Sequence, residues 1–236
     1  MTDHDLKNSL ASLREARGYL LPHHGLLATA LPDVLTAYDD LYRKLAFETR
    51  DLTPFEHEFV WLTLLAARGE PLATHHLEKF RRAGGTPEQV ADIVGLASVT
   101  TSCAALTFAE DAWSAHVPNL NPATIYLERF RQAAGEHPLP LAHLGGIAAL
   151  TGLGDWRGLR WQLLGAYADD TPEAGIAHAM ALAMFPGSVP YFARAAGVWQ
   201  DMIRKGEVSA SARYQTWAEF PGQGGYNEAS GKPAPP

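Results

Sequence analysis

The sequence has a single cysteine, Cys103, among 236 residues. One cysteine excludes an internal disulfide, and it excludes any mechanism that needs two thiols from the same chain. Basic residues are also scarce, because 19 Lys and Arg stand against 26 Asp and Glu for a net charge of −7. A surface with this balance does not attract nucleic acid, so we expect no nucleic-acid partner.

A targeting segment is also missing from the start of the chain. The first five residues, Met1 to Asp5, are acidic and polar, whereas a secretory signal is basic and then apolar. We also find no stretch that approaches the roughly 20 apolar residues needed to cross a bilayer. We therefore expect a soluble, cytoplasmic protein that does not bind membranes. A hydrophobic fraction of 47% is typical of a globular chain with a sizeable core.

The periodicity of the apolar residues predicts helices along the whole chain, and the alternation of a half-buried strand is absent. The fold class is therefore all-α. Two helix starts are strongly marked: Thr53 and Glu56 form a capping box around Pro54, and Thr86 with Gln89 repeats the pattern. The segment from residue 19 to residue 25 is predicted to be a turn. Further helices are expected at about 5–17, 32–47, 100–116, 122–134, 141–152, 156–168, 172–185 and 189–205.

Two parts of the chain show weak self-similarity at an offset of 85 to 86 residues. His57 falls opposite His143, and His76 falls opposite Gln162. We predict a duplicated helical unit whose second copy has lost the charged groups.

The predicted organisation has four segments. They are an N-terminal helical segment at 1–49, a first repeat at 50–117 that carries the site, a second, degenerate repeat at 118–205, and a C-terminal arm at 206–236. Glycine and proline in the arm argue against a helix there, and its aromatic residues, which include Tyr226, are expected to lie on the domain or on a partner subunit.

The residues suited to chemistry lie between 52 and 116. Glu58 shares a helix face with apolar residues, so it is predicted to point inwards, where a carboxylate needs a partner. His76 can transfer protons near neutral pH, although a core histidine bonded to a backbone carbonyl is the alternative. His57 competes with Glu58 because the register of the following loop is uncertain by one residue.

Three further histidines are secondary candidates. His75 points about 100° away from His76 around the helix, which favours a surface position. His23 and His24 precede a glycine and could close over the site, although a solvent-exposed turn is the alternative. The histidines, including His116, lack the spacings of metal-binding motifs, and no phosphate-binding or dinucleotide-binding motif is present. We therefore expect neither a metal nor a cofactor.

The central stretch resembles the carboxymuconolactone decarboxylase family, whose fold is the alkylhydroperoxidase D-like helical bundle. The resemblance is carried by Leu52-Thr53, Glu58, His76, Ala83-Gly84 and Thr86-Pro87-Glu88. It implies two tandem copies of the helical unit, since residues 153–159 look like the loop and next helix of the same pattern.

Redox relatives of this fold carry Cys-x-x-Cys shortly before the histidine, but Gly69 and Leu72 stand there in this chain. The resemblance therefore implies a cofactor-independent acid–base enzyme, either a decarboxylase, an isomerase or a lactone-opening enzyme, with His76 and Glu58 or His57 as catalytic residues. Its substrate would be a small carboxylated lactone or an aromatic ring-cleavage product. The alternatives are a thiol-dependent, peroxidase-like antioxidant protein and a non-catalytic helical scaffold or binding protein. Apolar helices and the fold lead us to expect a homo-oligomer, either a dimer or a trimer.

Overall fold

The computed structural model describes residues 3–223, 225 and 231, and all regular structure among them is helical. The predicted all-α fold is confirmed. The helices are α1 (Asp3–Arg17), α2 (Pro22–Ala30), α3 (Pro32–Ala46), α4 (Pro54–Arg68), α5 (His75–Arg82), α6 (Pro87–Thr101), α7 (Cys103–Trp113), α8 (Pro122–Ala134), α9 (Leu139–Leu153), α10 (Trp156–Ala168), α11 (Glu173–Leu182), α12 (Val189–Arg204) and α13 (Ala212–Glu219), with a short 3-10 turn at Pro71–Ala73.

The chain forms two compact units, Met1–Arg50 and Asp51–Pro236. In the first unit, α2 packs against α1 and α3. The predicted turn at residues 19–25 is wrong, because α2 begins at Pro22 and contains both His23 and His24. Pro22 sets a helical φ at the first position, and the Leu21 N–H donates to His24 Nδ1 at 3.0 Å. His24 therefore helps to start a helix.

The second unit is built around α4 and α9, which pack against each other. Every residue in the ranges 57–65 and 141–152 is buried. Helix α6 packs on both central helices, α5 packs on α4, and α10 and α11 pack on α9. The core of this unit therefore lies between two helices of equal length, one from each predicted repeat.

Local sequence fixes both ends of α4 and the C-terminal end of α9. Thr53 Oγ1 accepts from the Glu56 N–H at 3.3 Å and Glu56 Oε2 accepts from the Thr53 N–H at 2.7 Å, which is the predicted capping box. Helices α4 and α9 each have 15 residues and end at a left-handed glycine, Gly69 at φ 61° and Gly154 at φ 74°. Because their ends match, each position of α4 corresponds to the position 85 residues later in α9. The duplication itself stays a prediction.

The C-terminal arm contains a helix, so the expectation of a non-helical arm is wrong. Helix α13 lies on α12, where the Trp199 ring lies 5.0 Å from Tyr214 and 5.5 Å from Trp217. The Arg204 side chain donates to the Ala218 carbonyl at 2.6 Å. Aromatic packing on the chain's own α12 therefore outweighs the glycine and proline content of the arm. Tyr226 lies outside the described residues.

One helical run is longer and more apolar than the sequence analysis expected. Residues 87–113, which comprise α6, a turn at Ser102 and α7, are long and apolar enough to cross a membrane by length and composition. The expectation that no stretch approaches that length is therefore wrong. Core helices of soluble proteins meet the same criterion, but here only 33% of the most apolar window is buried inside the chain. A cytoplasmic location stays a prediction.

Close packing of α9 on α4 requires glycine at Gly152. A Cβ at this position would lie 2.5 Å from Leu64 Cδ1, and Leu64 is itself fully buried. We expect Gly152→Ala to lower the free energy of unfolding by about 1–3 kcal/mol, the usual effect of overpacking a core. Urea unfolding followed by circular dichroism measures it.

The matched control is Gly197→Ala in α12, where a Cβ would meet nothing within 4 Å. Alanine in an open helical position raises stability by up to about 1 kcal/mol. Equal stability of the two alanine variants would contradict close packing between α4 and α9.

Candidate functional site

Glu58 of α4 and His76 of α5 meet in the interior of the second unit. Glu58 Oε2 lies 2.6 Å from His76 Nδ1. The exposed fraction is 6% for Glu58 and 0% for His76. The 3-10 turn after α4 brings α5 back against α4, and this turn makes the contact between residues 18 positions apart. Two of the candidate residues from the sequence are therefore in direct contact.

The second nitrogen of His76 has a different environment. His76 Nε2 is buried and has no hydrogen-bond partner among the described residues. The His76 ring stacks on Trp61 with centroids 4.6 Å apart and planes at 22°. An ionised carboxylate only accepts hydrogen bonds, so Glu58 binds the Nδ1–H tautomer of a neutral ring. This tautomer leaves the lone pair on Nε2.

The charges of the pair follow from burial and from neighbouring groups. Burial raises the pKa of Glu58, but His57 and His76 together outweigh it and hold the pKa at about 2. Burial lowers the pKa of His76, Glu58 opposes this shift, and the nearby Lys79 adds to the lowering. At neutral pH the pair is therefore a carboxylate beside a neutral imidazole. That combination is suited to general base chemistry.

His57 and Glu58 both belong to the cluster, so the structure does not force a choice between them. His57 Nδ1 lies 3.6 Å from Glu58 Oε1, which is a close polar contact but too long for a hydrogen bond. On its other side, the His57 ring lies 5.5 Å from the ring of His178 in α11. Sequence reasoning missed His178, because it lies far downstream and no motif links it to His57.

His75 lies beside the pair, and the expectation of a surface position is only partly met. Its side chain is half-buried, and its ring lies 4.6 Å from that of His76. Burial, and then His76 and Lys79, lower the pKa of His75 to about 4. Lys79 is also half-buried, three residues after His76 and four after His75, on the same side of α5. Three nitrogen-bearing side chains therefore cluster on this side of α5.

His23 and His24 have partners within the first unit. His23 Nε2 lies 3.1 Å from the Tyr38 hydroxyl, and His24 is fully buried, so the alternative of a solvent-exposed turn is wrong for His24. Their predicted secondary role stays a prediction.

The second predicted repeat keeps a polar pair in the corresponding place. The offset of 85 between α4 and α9 puts Glu58 opposite His143, which corrects the earlier pairing with His57. His143 Nδ1 accepts from Gln162 Nε2 at 2.7 Å, as His76 meets Glu58 in the first repeat.

Charged groups lie beside His143 in the second repeat, but not at the positions of Glu58 and His76, so the expected loss of the site's charged groups stays a prediction. His143 Nε2 donates to Asp169 Oδ2 at 2.8 Å, and Arg131 pairs with the same oxygen at 3.1 Å. Gln162 Oε1 accepts from the buried Tyr126 hydroxyl. Both ring nitrogens of His143 are therefore bonded, which leaves no lone pair for chemistry.

Cys103 lies in a setting that suppresses thiolate formation. It is fully buried in α7, and a Cβ on Gly158 would lie 3.0 Å from its sulfur. Burial raises the pKa of the Cys103 thiol to about 12, and Asp155 adds to the shift. The reactive form of cysteine is the thiolate, so this side chain is inert near neutral pH.

An apolar groove of about 380 Å³ lies next to the cluster. It starts one helical turn beyond Glu58 on the same face of α4 and extends to α5 and α6. Glu70 is the one charged residue in its lining. The lining residues are Leu62, Leu65, Ala66, Gly69, Glu70, Pro71, Thr74, Leu77, Val90, Ile93 and Val94.

Comparison with known proteins identifies the stretch that carries this cluster. Residues 32–115 match the model of the carboxymuconolactone decarboxylase family, from α3 to α7. No curated protein and no solved structure gives a significant match. The matched segment includes both Glu58 and His76, so the part of the chain that carries the cluster is similar to the carboxymuconolactone decarboxylase family.

The shifted pKa values predict that the free energy of unfolding decreases as pH is lowered, in two pH ranges: an upper window that begins at pH 6.5 and a lower window between pH 4.5 and 2. The His76 pKa in the folded chain is below 6.5, so the unfolded chain binds a proton first as pH drops below 6.5. The Glu58 pKa is about 2 in place of 4.5, so its contribution is present above pH 4.5 and is lost as pH falls towards 2. We expect Glu58→Gln to make the free energy of unfolding less dependent on pH in the lower window. Urea unfolding between pH 7 and pH 2 measures both.

Glu128→Gln, at an exposed position of α8, is the control and should leave the pH dependence unchanged. An unaltered lower window in Glu58→Gln would contradict an ionised, buried Glu58.

Proposed function

We propose that this chain is a cofactor-independent acid–base enzyme in which His76 transfers the proton and Glu58 holds the reactive tautomer. The proposal is carried by one observation: a buried carboxylate lies 2.6 Å from one ring nitrogen of His76, while the other ring nitrogen has no partner among the described residues. A base oriented by a carboxylate is the arrangement that acyl-transfer triads also use.

In the proposed mechanism, Nε2 accepts a proton from a carbon next to a carbonyl group. The ring becomes an imidazolium, and Glu58 stabilises the new charge through Nδ1–H. Returning the proton to a different carbon isomerises a double bond. For decarboxylation, the neutral His76 must first take up a proton from the solvent at Nε2. The C–C bond then breaks, carbon dioxide leaves with its two oxygens, and the electron pair forms an enolate that Nε2–H protonates. Burial of the pair would keep water from these intermediates.

The proposed substrate is a small carboxylated lactone or an aromatic ring-cleavage product. The description of the matched family supports this class. Positive charge on α5 supports it too, because Lys79 acts on the charges of Glu58, His75 and His76. The apolar groove fits a carboxylate poorly, since its one charged residue is Glu70. The proposed binding region is therefore the side of α5 that carries His75, His76 and Lys79.

Replacing His76 tests the proton transfer. We expect His76→Gln to lower kcat by about 10²- to 10⁴-fold, because glutamine keeps the hydrogen bond but does not exchange a proton near pH 7. Glu58→Gln should lower kcat over a similar range, because the carboxylate that holds His76 in its Nδ1–H tautomer is then missing. Carboxymuconolactone is the probe, and carbon dioxide release with loss of the carboxyl group by mass spectrometry is the readout.

The exposed His116→Gln is the matched control and should keep wild-type kcat. Full activity in a folded His76→Gln would remove His76 from the mechanism. A wild-type protein inactive on carboxylated lactones and on their ring-opened forms would favour the scaffold or binding alternative.

The thiol-dependent alternative makes its own prediction. With a thiol pKa of about 12, Cys103 should resist a maleimide in the folded protein and react only after unfolding. Cys103→Ala should keep activity within tenfold, roughly 1.4 kcal/mol of barrier. Fast labelling of the folded chain, with loss of activity in the alanine variant, would revive peroxidase chemistry.

A further inference from the structure

A second buried polar atom lies next to His76, on the indole ring of Trp61. The Trp61 side chain is 2% exposed, and its Nε1–H has no hydrogen-bond partner among the residues that the structure describes. An indole N–H is a donor and never an acceptor. Leaving a buried donor without an acceptor destabilises a fold, so an atom of this kind points to a group from outside the chain.

The donor of Trp61 and the acceptor of His76 belong to adjacent rings. The rings stack with centroids 4.6 Å apart and planes at 22°. In stacked rings each nitrogen points outwards in the plane of its own ring, so the Trp61 N–H does not bond to His76 Nε2. Since both nitrogens lie on neighbouring rings, one small molecule can reach both. The ring pair therefore offers one donor and one acceptor to the same ligand.

The helix α4 holds the Trp61 ring in a fixed position. Trp61 follows Glu58 by three residues and therefore lies on the same face of the helix. Its ring also meets the ring of His57 edge to face, with centroids 6.5 Å apart and planes at 73°. The indole thus lies between His57 and His76. A donor that is already held in place does not have to reorganise when charge develops on a substrate.

The second predicted repeat lacks this donor. The position 85 residues after Trp61 is Gly146, where a Cβ would lie 2.8 Å from the Gln162 side chain and 2.9 Å from the Phe130 ring. Those two side chains fill the space that an indole would need. The donor therefore occurs beside His76 and not beside the fully bonded His143.

Helix α5 covers the ring pair with little structure of its own. It has 8 residues, its N-cap residue Thr74 makes no side-chain cap hydrogen bond, and its main packing partner among the described helices is α4. His75 and Lys79 on its outer side are only half-buried. A short helix with few packing contacts opens at low cost, so a small ligand can reach the buried nitrogens from this side.

We propose that Trp61 Nε1–H binds the carbonyl oxygen of the substrate while His76 Nε2 takes the proton from the adjacent carbon. This inference rests on the proposed function and narrows its substrates to compounds that form an enolate. As the C–H bond breaks, its electron pair moves towards the carbonyl group, and the carbonyl oxygen becomes the enolate oxygen. In decarboxylation the same oxygen receives the electron pair of the broken C–C bond. Trp61 therefore donates to an oxygen on which negative charge develops.

Nuclear magnetic resonance tests the contact without turnover. Triple-resonance assignment identifies the indole N–H signal of Trp61 among those of the six tryptophans. Paraconate, a saturated lactone that carries a carboxylate, should move this signal to lower field, because its carbonyl oxygen accepts from the indole. The matched probe is the cyclic ether in which a methylene group replaces the lactone carbonyl. This ether keeps the carboxylate and should leave the signal in place.

Kinetics test the role in the reaction. Trp61→Phe keeps an aromatic ring against His76 and removes the donor. We expect kcat on carboxymuconolactone to fall by about 10²- to 10³-fold, the usual effect of removing one donor to an oxyanion. KM should stay nearly unchanged, because the charge develops only in the transition state. Trp161→Phe, at a buried tryptophan of the second repeat, loses the same volume and should keep wild-type kcat.

Three results would each overturn the inference. They are a Trp61 signal that both probes move equally, a Trp61 signal that neither probe moves, and a folded Trp61→Phe variant with wild-type kcat. If His76→Gln has lost activity in the same assay, the proposed function stands without Trp61. A wild-type protein that turns over no lactone, but whose Trp61 signal moves with paraconate alone, would contradict the proposed reaction and support the carbonyl contact.

Discussion

A carboxylate in a dry interior is the constraint on which the site depends. Removing Glu58 from water without compensation would cost several kcal/mol, or it would leave the side chain protonated. His76 and His57 supply the compensation, and each is held by a different set of contacts. Trp61 fixes the plane of the His76 ring, and the capping box fixes where α4 begins. The geometry of the pair is therefore set by helix ends and ring stacking, which are rigid features.

The two predicted repeats solve the same packing problem with different chemistry. In the first, the Glu58 carboxylate contacts His76, and the other ring nitrogen has no partner within the part of the chain that the structure describes. In the second, His143 sits between Gln162 and Asp169 and both nitrogens are bonded. A saturated network adds order, whereas an unsatisfied nitrogen costs stability and is retained where it has a use. The contrast supports reactivity in the first repeat alone.

The sequence predicted the parts that depend on local rules. Capping residues located α4 and α6, and helical periodicity turned Glu58 inwards. Sequence-based prediction failed where contacts between distant parts of the chain determine the structure. His178 reaches His57 only through the fold, and α13 forms because Trp199 offers it an aromatic surface. Helix α2 was missed although its contact is local, since His24 accepts from the N–H of Leu21, three residues earlier. The polar pair of His143 and Gln162 was missed because the sequence alignment of the two repeats was shifted by one residue, which placed His57 rather than Glu58 opposite His143.

The bonded chain from Tyr126 to Asp169 connects the interior to the solvent. Tyr126 is fully buried, whereas the Asp169 side chain is 19% exposed and also meets Arg131. Each hydrogen bond in such a chain polarises the next. The tautomer of a core histidine is therefore tied to an ion pair at the surface, and that ion pair feels the ionic strength of the medium. Salt outside the protein thus has a route by which to alter the dipoles in the interior of the second predicted repeat.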